Sequence, residues 1–292
     1  MSIDFEYYRP STISEALQLK SQFGLKAVFM AGGTDEMITL KEQHKCSFEH
    51  MISIRGIPGL NYIKEENGKL YIGAVATFSE ITKSALINSK YAILKDAASQ
   101  VGSVQVRNAA TIGGNVCTSL PSADISSPLL ALGAQVKIAS AARGERIQDL
   151  ADFFIAPGKN ILREDELLVE FIIPAAEPHS AGAYYKVGRR KALDIATMAA
   201  AVYIKLDKDK KICDDARIAL TTVAPTPLRV KAAVAELIGK PVTEETLTKA
   251  GLAAAKEASP RSSFRSDADY RKDVIPVAVK RAGLLALERA LA

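Results

Sequence analysis

Two glycine pairs, each closing an apolar run and each followed by a short polar side chain, constrain this chain more than any other feature. The first lies in FMAGGTDEMI, residues 29 to 38, and the second in TIGGN, residues 111 to 115. Glycine allows positive φ and lets a bulky anion reach backbone N–H groups without meeting a Cβ. Successive N–H groups aimed at one point make an anion nest. One such pair alone is most often a turn. Two of the same form, eighty positions apart, offer donors from both sides, as a diphosphate requires. The familiar nucleotide cradles are excluded by inspection. No G-x-G-x-x-G occurs, so a Rossmann site is unsupported, and none of the three Gly-Lys pairs (Gly68, Gly158, Gly239) has a glycine five residues earlier, so there is no P-loop.

The rest of the chain reads as alternating short elements. TISEALQLKSQFGL, residues 12 to 25, has Thr12 as N-cap, Glu15 three residues on and an apolar face of Ile13, Ala16, Leu17 and Phe23, which predicts a helix ending near Gly24. KAVFMA and MISI read as strands, and Asn67-Gly68 joins two more in a hairpin. A second capping box opens at Thr77, and helix patterns follow in YAILKDAASQV and at 125 to 132. AQVKIAS is a strand, and LLVEFIIP is a strand ended by Pro174. The Pro-containing, small-residue stretch AAEPHSAG at 175 to 182 reads as a linker, dividing the chain into residues 1–176 and 177–292. Beyond it, AYYKV, TMAAAVYIKLD and KKICDDARIALTTV predict a three-stranded meander. TPLRVKAAVAELIG, TEETLTKAGLAAAKEA and KDVIPVAVKRAGLLALERAL predict helices, giving an α+β class with segregated elements.

Composition narrows the functional classes. With 292 residues, 48% hydrophobic and 24% charged, the chain has the balance of a folded globular protein. No run approaches about eighteen apolar residues and the N-terminus lacks a basic-then-apolar signal, so neither a membrane span nor a secretory leader is expected, and a cytoplasmic location is. The net charge of +5 is dispersed, its densest cluster being KVGRRK at 186 to 191, which argues against nucleic-acid binding. Cys46, Cys117 and Cys213 are far apart and form no metal-ligand spacing. An iron–sulfur cluster, which takes about four cysteines, does not belong on this chain.

AGGTD, VGSVQVRNAATIGGN, SADISSPLLALGA, DFFIAPGKNILREDELLVEFIIP and KVGRRKALDIATMAAA together resemble the FAD-binding subunit of molybdenum-containing hydroxylases, the group of xanthine dehydrogenase and carbon monoxide dehydrogenase. The resemblance runs from FEYYRP to the helical C-terminus. It implies a PCMH-type FAD-binding domain of two α/β lobes, followed by a small C-terminal domain with a three-stranded antiparallel sheet and helices. It also implies non-covalent FAD here, with the molybdenum cofactor on a large partner subunit and [2Fe-2S] clusters on a small one. The assembly would be a dimer of heterotrimers passing electrons to a small-molecule acceptor: NAD, a quinone or ferredoxin. A free-standing FAD oxidoreductase of the same fold is the alternative.

Carried residue by residue, the resemblance implies that Val28, Phe29, Met30, Ala31, Gly32, Gly33, Thr34 and Asp35 wrap the pyrophosphate. Thr111, Ile112, Gly113, Gly114 and Asn115 would do so from the other lobe, with Thr111 and Asn115 adding side-chain donors. Asp124, nine residues after Asn115, would accept from ribityl or ribose hydroxyls; as a bare sequence feature it is equally a helix N-terminal carboxylate. Leu168 would pack on the isoalloxazine, or is an ordinary core leucine. Tyr185 and Lys186 would lie at the ring, Lys186 as a cation stabilising its reduced form, or as a solvated strand lysine. Arg189, Arg190 and Lys191 would attract an anionic acceptor or form a solvated turn. The histidines His44, His50 and His179 stand beside neither glycine motif, against a histidyl-linked flavin. No side chain is expected as a catalytic acid or base.

Overall fold

The computed structural model describes residues 4–43 and 47–292; His44 and Cys46 lie outside the described residues. Strands β1 (Glu6–Tyr8), β2 (Ala27–Met30) and β3 (His50–Ser53) form a parallel sheet in the order β1-β3-β2. Successive parallel strands need crossovers: the helix Ile13–Phe23 carries the chain from β1 to β2, on the far side of β3, and the helix Glu36–Gln43 lies between β2 and its neighbour β3 in sequence. Thr12 caps that helix by accepting the Glu15 N–H, while the Glu15 carboxylate takes the N–H of Ser11 at 2.7 Å instead of closing a full capping box. Gly24, with φ of +55°, ends it. Ala16 and Leu17 turn inward onto Ile52, Ile54 and Leu60.

The second lobe is a five-stranded antiparallel sheet. Its strands are β4 (Ile63–Glu66), β5 (Lys69–Gly73), β6 (Gln135–Ser140) and β7 (Gly144–Asp149); β8 (Phe154–Ala156) and β9 (Lys159–Asn160) make a separate hairpin before the central β10 (Glu166–Ile173). The order is β4-β5-β10-β6-β7. Asn67 and Gly68 both have positive φ, as the two-residue hairpin between β4 and β5 demands. β10 is buried along its whole length because both faces are covered. Leu168, Phe171 and Ile173 enter the main core with the helices Phe78–Lys83 and Ala92–Ser99, and Leu167 and Val169 face the first lobe. A strand apolar on both sides is what LLVEFIIP encodes.

The remaining strands, β11 (Ser180–Val187), β12 (Met198–Leu206), β13 (Cys213–Thr221) and β14 (Leu228–Val230), form an antiparallel sheet in chain order. The three-stranded meander thus gains a short fourth strand. The stretch expected as one helix from 226 splits, with Leu228–Val230 pairing along β13 and only Ala232–Ala235 turning helical. β12 is covered on both sides. Met198, Ala200, Val202 and Ile204 pack under the helices Glu244–Glu257 and Ala268–Leu291, and Ala199, Ala201 and Tyr203 join the main core. Its alanines allow the close approach of both neighbours. No helix among the described residues is long and apolar enough to cross a membrane.

Candidate functional site

A cleft of about 860 Å³ opens where the two lobes and the C-terminal sheet meet. Its walls are the segment 28–36, the segments 110–118 and 122–124, the start of β10 and, from the C-terminal part, the 189–195 loop with Phe264 and Arg265. Of the residues expected to hold the cofactor, all but Ile112, Tyr185 and Lys186 line it; of the basic cluster expected to attract an acceptor, Arg189 and Arg190 line it and Lys191 does not.

The first glycine turn is a set of donors without acceptors. Among the described residues, the backbone N–H groups of Gly32, Gly33, Thr34 and Asp35 have no intramolecular acceptor, and all four residues line the cleft. The helix Glu36–Gln43 begins directly after them and adds its N-terminal dipole. Gly33 has φ of +69°, and a Cβ on Gly32 would run into the carbonyl of Ala109, so this turn lies directly on the second lobe.

The second turn is differently built, which changes the expectation of N–H donors from both sides. Ile112 donates to Ala76 O at 2.9 Å, Gly113 to Ala74 O at 2.8 Å, Gly114 to Thr111 Oγ1 at 3.1 Å and Asn115 to Thr111 O at 3.0 Å. These bonds close the short helix Ile112–Cys117 and tie it to the 74–76 segment. Ile112 is a core side chain, fully buried away from the cleft. What this turn offers is side chains: the Thr111 hydroxyl, and Asn115, whose amide Oδ1 is buried without a partner.

Alternation along β11 separates Tyr185 from Lys186, since successive strand residues face opposite ways. Tyr185 lies against the C-terminal helices, and its phenol meets Arg281 there; placing it at a ring in the cleft is therefore corrected. Tyr184 and Lys186 face the other way and converge on Asp124. Tyr184 Oη donates to Asp124 Oδ1 at 2.6 Å, and Lys186 Nζ donates to Asp124 Oδ2 at 2.9 Å and to Gln100 O at 3.0 Å. The Lys186 side chain is only 6% exposed, so it is neither solvated nor part of the cleft wall, and it reaches the cleft through Asp124. Burial pushes the Asp124 carboxyl upward, while the charge of Lys186 and the two hydrogen bonds pull it back. Burial and the Asp124 charge hold the Tyr184 phenol well above its usual range.

Sequence reasoning missed several lining residues. Glu166 is one: burial opposes its charge, but bonds from Arg146 and the Arg163 N–H keep it below the usual carboxylate range. Phe264, 80% exposed, and Arg265, whose guanidinium stacks on it, come from a loop that carries no local motif; nothing near them in sequence signals the cleft. Cys117 also lines the cleft, but burial pushes its thiol to about 12, so no thiolate nucleophile is present at neutral pH. Among the described residues no cluster of three His, Cys, Asp or Glu side chains has the arrangement of a metal site.

Comparison with known proteins gives this geometry its context. Residues 3–176 match the family described as the FAD binding domain in molybdopterin dehydrogenase, and residues 183–286 match the CO dehydrogenase flavoprotein C-terminal domain. The chain belongs to this family of FAD-binding subunits. The nicotinate dehydrogenase FAD-subunit of Eubacterium barkeri is 38% identical over 84% of this chain and 83% of its own. The carbon monoxide dehydrogenase medium chain of Hydrogenophaga pseudoflava is 34% identical over 95% of each chain. A solved carbon monoxide dehydrogenase from that organism, lacking the Mo-pyranopterin moiety, superposes with a TM-score of 0.93 at 34% identity over 99% of each chain. The chain is accordingly a flavoprotein-type subunit of the molybdenum hydroxylases, which are oxidoreductases. The residues present fit FAD: unpartnered N–H groups suit a pyrophosphate, an orphaned Asn115 oxygen and a buried Asp124 suit hydroxyls, and Leu168 supplies an apolar wall.

Proposed function

We propose that this chain is the FAD-carrying electron-transfer subunit of a multi-subunit molybdenum hydroxylase, taking electrons from iron–sulfur clusters on a small partner subunit and delivering them to an external acceptor. The observation that carries the reading is the row of acceptor-free N–H groups from Gly32 to Asp35 in a cleft of cofactor size. Bound FAD supplies a carrier able to take electrons singly and in pairs. Everything else is binding and orientation. Gly32 to Asp35 hold the pyrophosphate, with Val28 to Ala31 as the wall behind them. Thr111 and Asn115 bond the hydroxylated linker, Gly113 and Gly114 let their turn close against Ala74 and the Thr111 hydroxyl, and Asp124 accepts from the linker's hydroxyls. Leu168 covers the flavin ring, and Lys186 places positive charge behind Asp124.

The molybdenum cofactor and substrate selectivity belong, in this reading, to a large partner subunit, and the complex is a cytoplasmic dimer of heterotrimers. Exposed Ile38, Leu120, Leu193, Ile195 and Phe264 rim the cleft, an apolar border suited to docking a partner. Arg189, Arg190 and Arg265 on the same border favour an anionic acceptor. The chain divides at residues 176 and 177, between the end of β10 and the start of β11. Purified protein reconstituted with FAD should show flavin absorbance and release FAD on denaturation; colourless protein ends the reading. The flavin bands should bleach only when the partner subunits and their substrate are added. Rapid bleaching by a small substrate without partners overturns the electron-transfer role.

A further inference from the structure

We infer that Tyr184 is a positioning residue of the cofactor site: its phenol, carried in on the C-terminal sheet, fixes the carboxylate of Asp124 with its remaining lone pairs toward the cleft. The inference rests on the FAD reading above. Tyr184 is 3% exposed and Asp124 7%, so neither bond competes with solvent. β11 presents Tyr184 and Lys186 two residues apart on one face, and each binds a different oxygen of the same carboxylate, at 2.6 and 2.9 Å. A carboxylate has about four acceptor sites. With one site on each oxygen occupied from β11, its orientation is set and the others are left for a ligand in the cleft that Asp124 lines. Tyr184 is itself held, its N–H donating to Asp96 Oδ2 at 3.3 Å. Its neighbour Tyr185 faces the opposite side and cannot replace it.

The charged and titratable groups that act on Asp124 are Lys186 and Tyr184, both from β11. Burial favours the protonated carboxyl, and the phenol's hydrogen bond opposes that by stabilising the charged form. Without the phenol, Asp124 takes up a proton at a higher pH and turns one oxygen from acceptor to donor. The ribityl or ribose hydroxyls then lose a fixed acceptor.

The test uses the full chain and Tyr184→Phe, which keeps the ring in the core and removes only the hydroxyl. Flavin fluorescence titration with FAD should give an affinity close to wild type at pH 8 and about tenfold weaker near pH 5.5, the size expected for a hydrogen bond to a charged group. In an Asp124→Asn background the same substitution should add nothing, because the effect runs through that carboxylate. An equal loss at every pH, additive with Asp124→Asn, makes Tyr184 mere packing and overturns the inference. If wild-type protein takes up no FAD, the functional reading falls first. The inference is then decided on the apo chain by urea unfolding, where the stability gap between wild type and Tyr184→Phe must vary between pH 4 and 7; a gap independent of pH overturns it.

Discussion

Gly32 and Gly33 are neighbours with the same side chain, yet they are glycine for different reasons. At Gly32 a Cβ would strike the Ala109 carbonyl, part of the backbone of the other lobe. At Gly33 the constraint is φ of +69°, and a Cβ would meet only side-chain atoms, Met30 Sδ at 3.1 Å and Met37 Cγ at 3.3 Å, rather than backbone. Gly113 is like Gly32, since a Cβ there would stand 2.6 Å from Ala74 O. Gly32→Ala and Gly113→Ala should each destabilise the chain by about 3 kcal/mol, the upper range for forced overpacking. Gly33→Ala should cost about 1 kcal/mol, the penalty of a left-handed backbone, and weaken FAD about tenfold by turning a charge-facing N–H aside. Urea unfolding and FAD titration on the three variants separate the two effects. Equal stability loss at Gly32 and Gly33 would contradict the distinction.

Elements were legible where a local rule is strong. The hairpin at Asn67-Gly68, the reciprocal cap at Thr77 and Glu80, and the doubly buried β10 all follow from residues within a few positions of one another. Leu228–Val230 did not, because a run of a few apolar residues carries no period that separates strand from helix; pairing of Val230 with Ile218 decides it. In the candidate site, placing both Tyr185 and Lys186 at the ring overlooked strand alternation, which turns them to opposite faces of β11; that Lys186 is the one on the cleft side depends on a partner, Asp124, 62 positions away. The loop after β11 has its own local logic. Asp194 accepts the N–H groups of Arg189 at 2.5 Å and Arg190 at 3.0 Å, clasping the turn that carries Arg189, Arg190 and Leu193 to the cleft. Burial raises its carboxyl, but those N–H groups and the two arginine charges outweigh it and hold it below the usual range. A lowered carboxyl contributes stability that is present above its unfolded value and lost as pH falls through the folded one. Asp194→Ala should therefore be less stable than wild type by about 2 kcal/mol from pH 5 to 8, with the gap closing below about pH 4. Denaturant unfolding across that range checks it, and a gap that widens in acid would refute the clasp.

At the scale of the molecule, the cleft exists because the C-terminal sheet is fixed onto the second lobe by bonds that no local pattern reveals. Arg289 donates to both oxygens of Asp96, at 2.6 and 3.0 Å, and to Gly182 O at 2.9 Å, linking the last helix, β11 and the helix Ala92–Ser99 across 193 positions of sequence. Arg217 reaches Leu132 O at 2.9 Å, and Thr222 N reaches Pro121 O at 2.7 Å. β11 is the common element, holding Gly182 in this clamp and Tyr184 and Lys186 on Asp124. Loosening the clamp should thus reach the cofactor site through the strand. Arg289→Ala removes one partner of a pair intermediate between exposed and buried, for which about 2 kcal/mol is expected, and FAD affinity should fall with it. Arg281→Ala is the control: it lies on the same helix and meets the phenol of Tyr185 on the face of β11 away from the cleft. It should cost less stability and leave FAD affinity within about twofold of wild type, as an exposed polar contact does. Urea unfolding and FAD titration of both variants decide the matter, since equal effects on FAD would mean that β11 does not couple the clamp to the cleft.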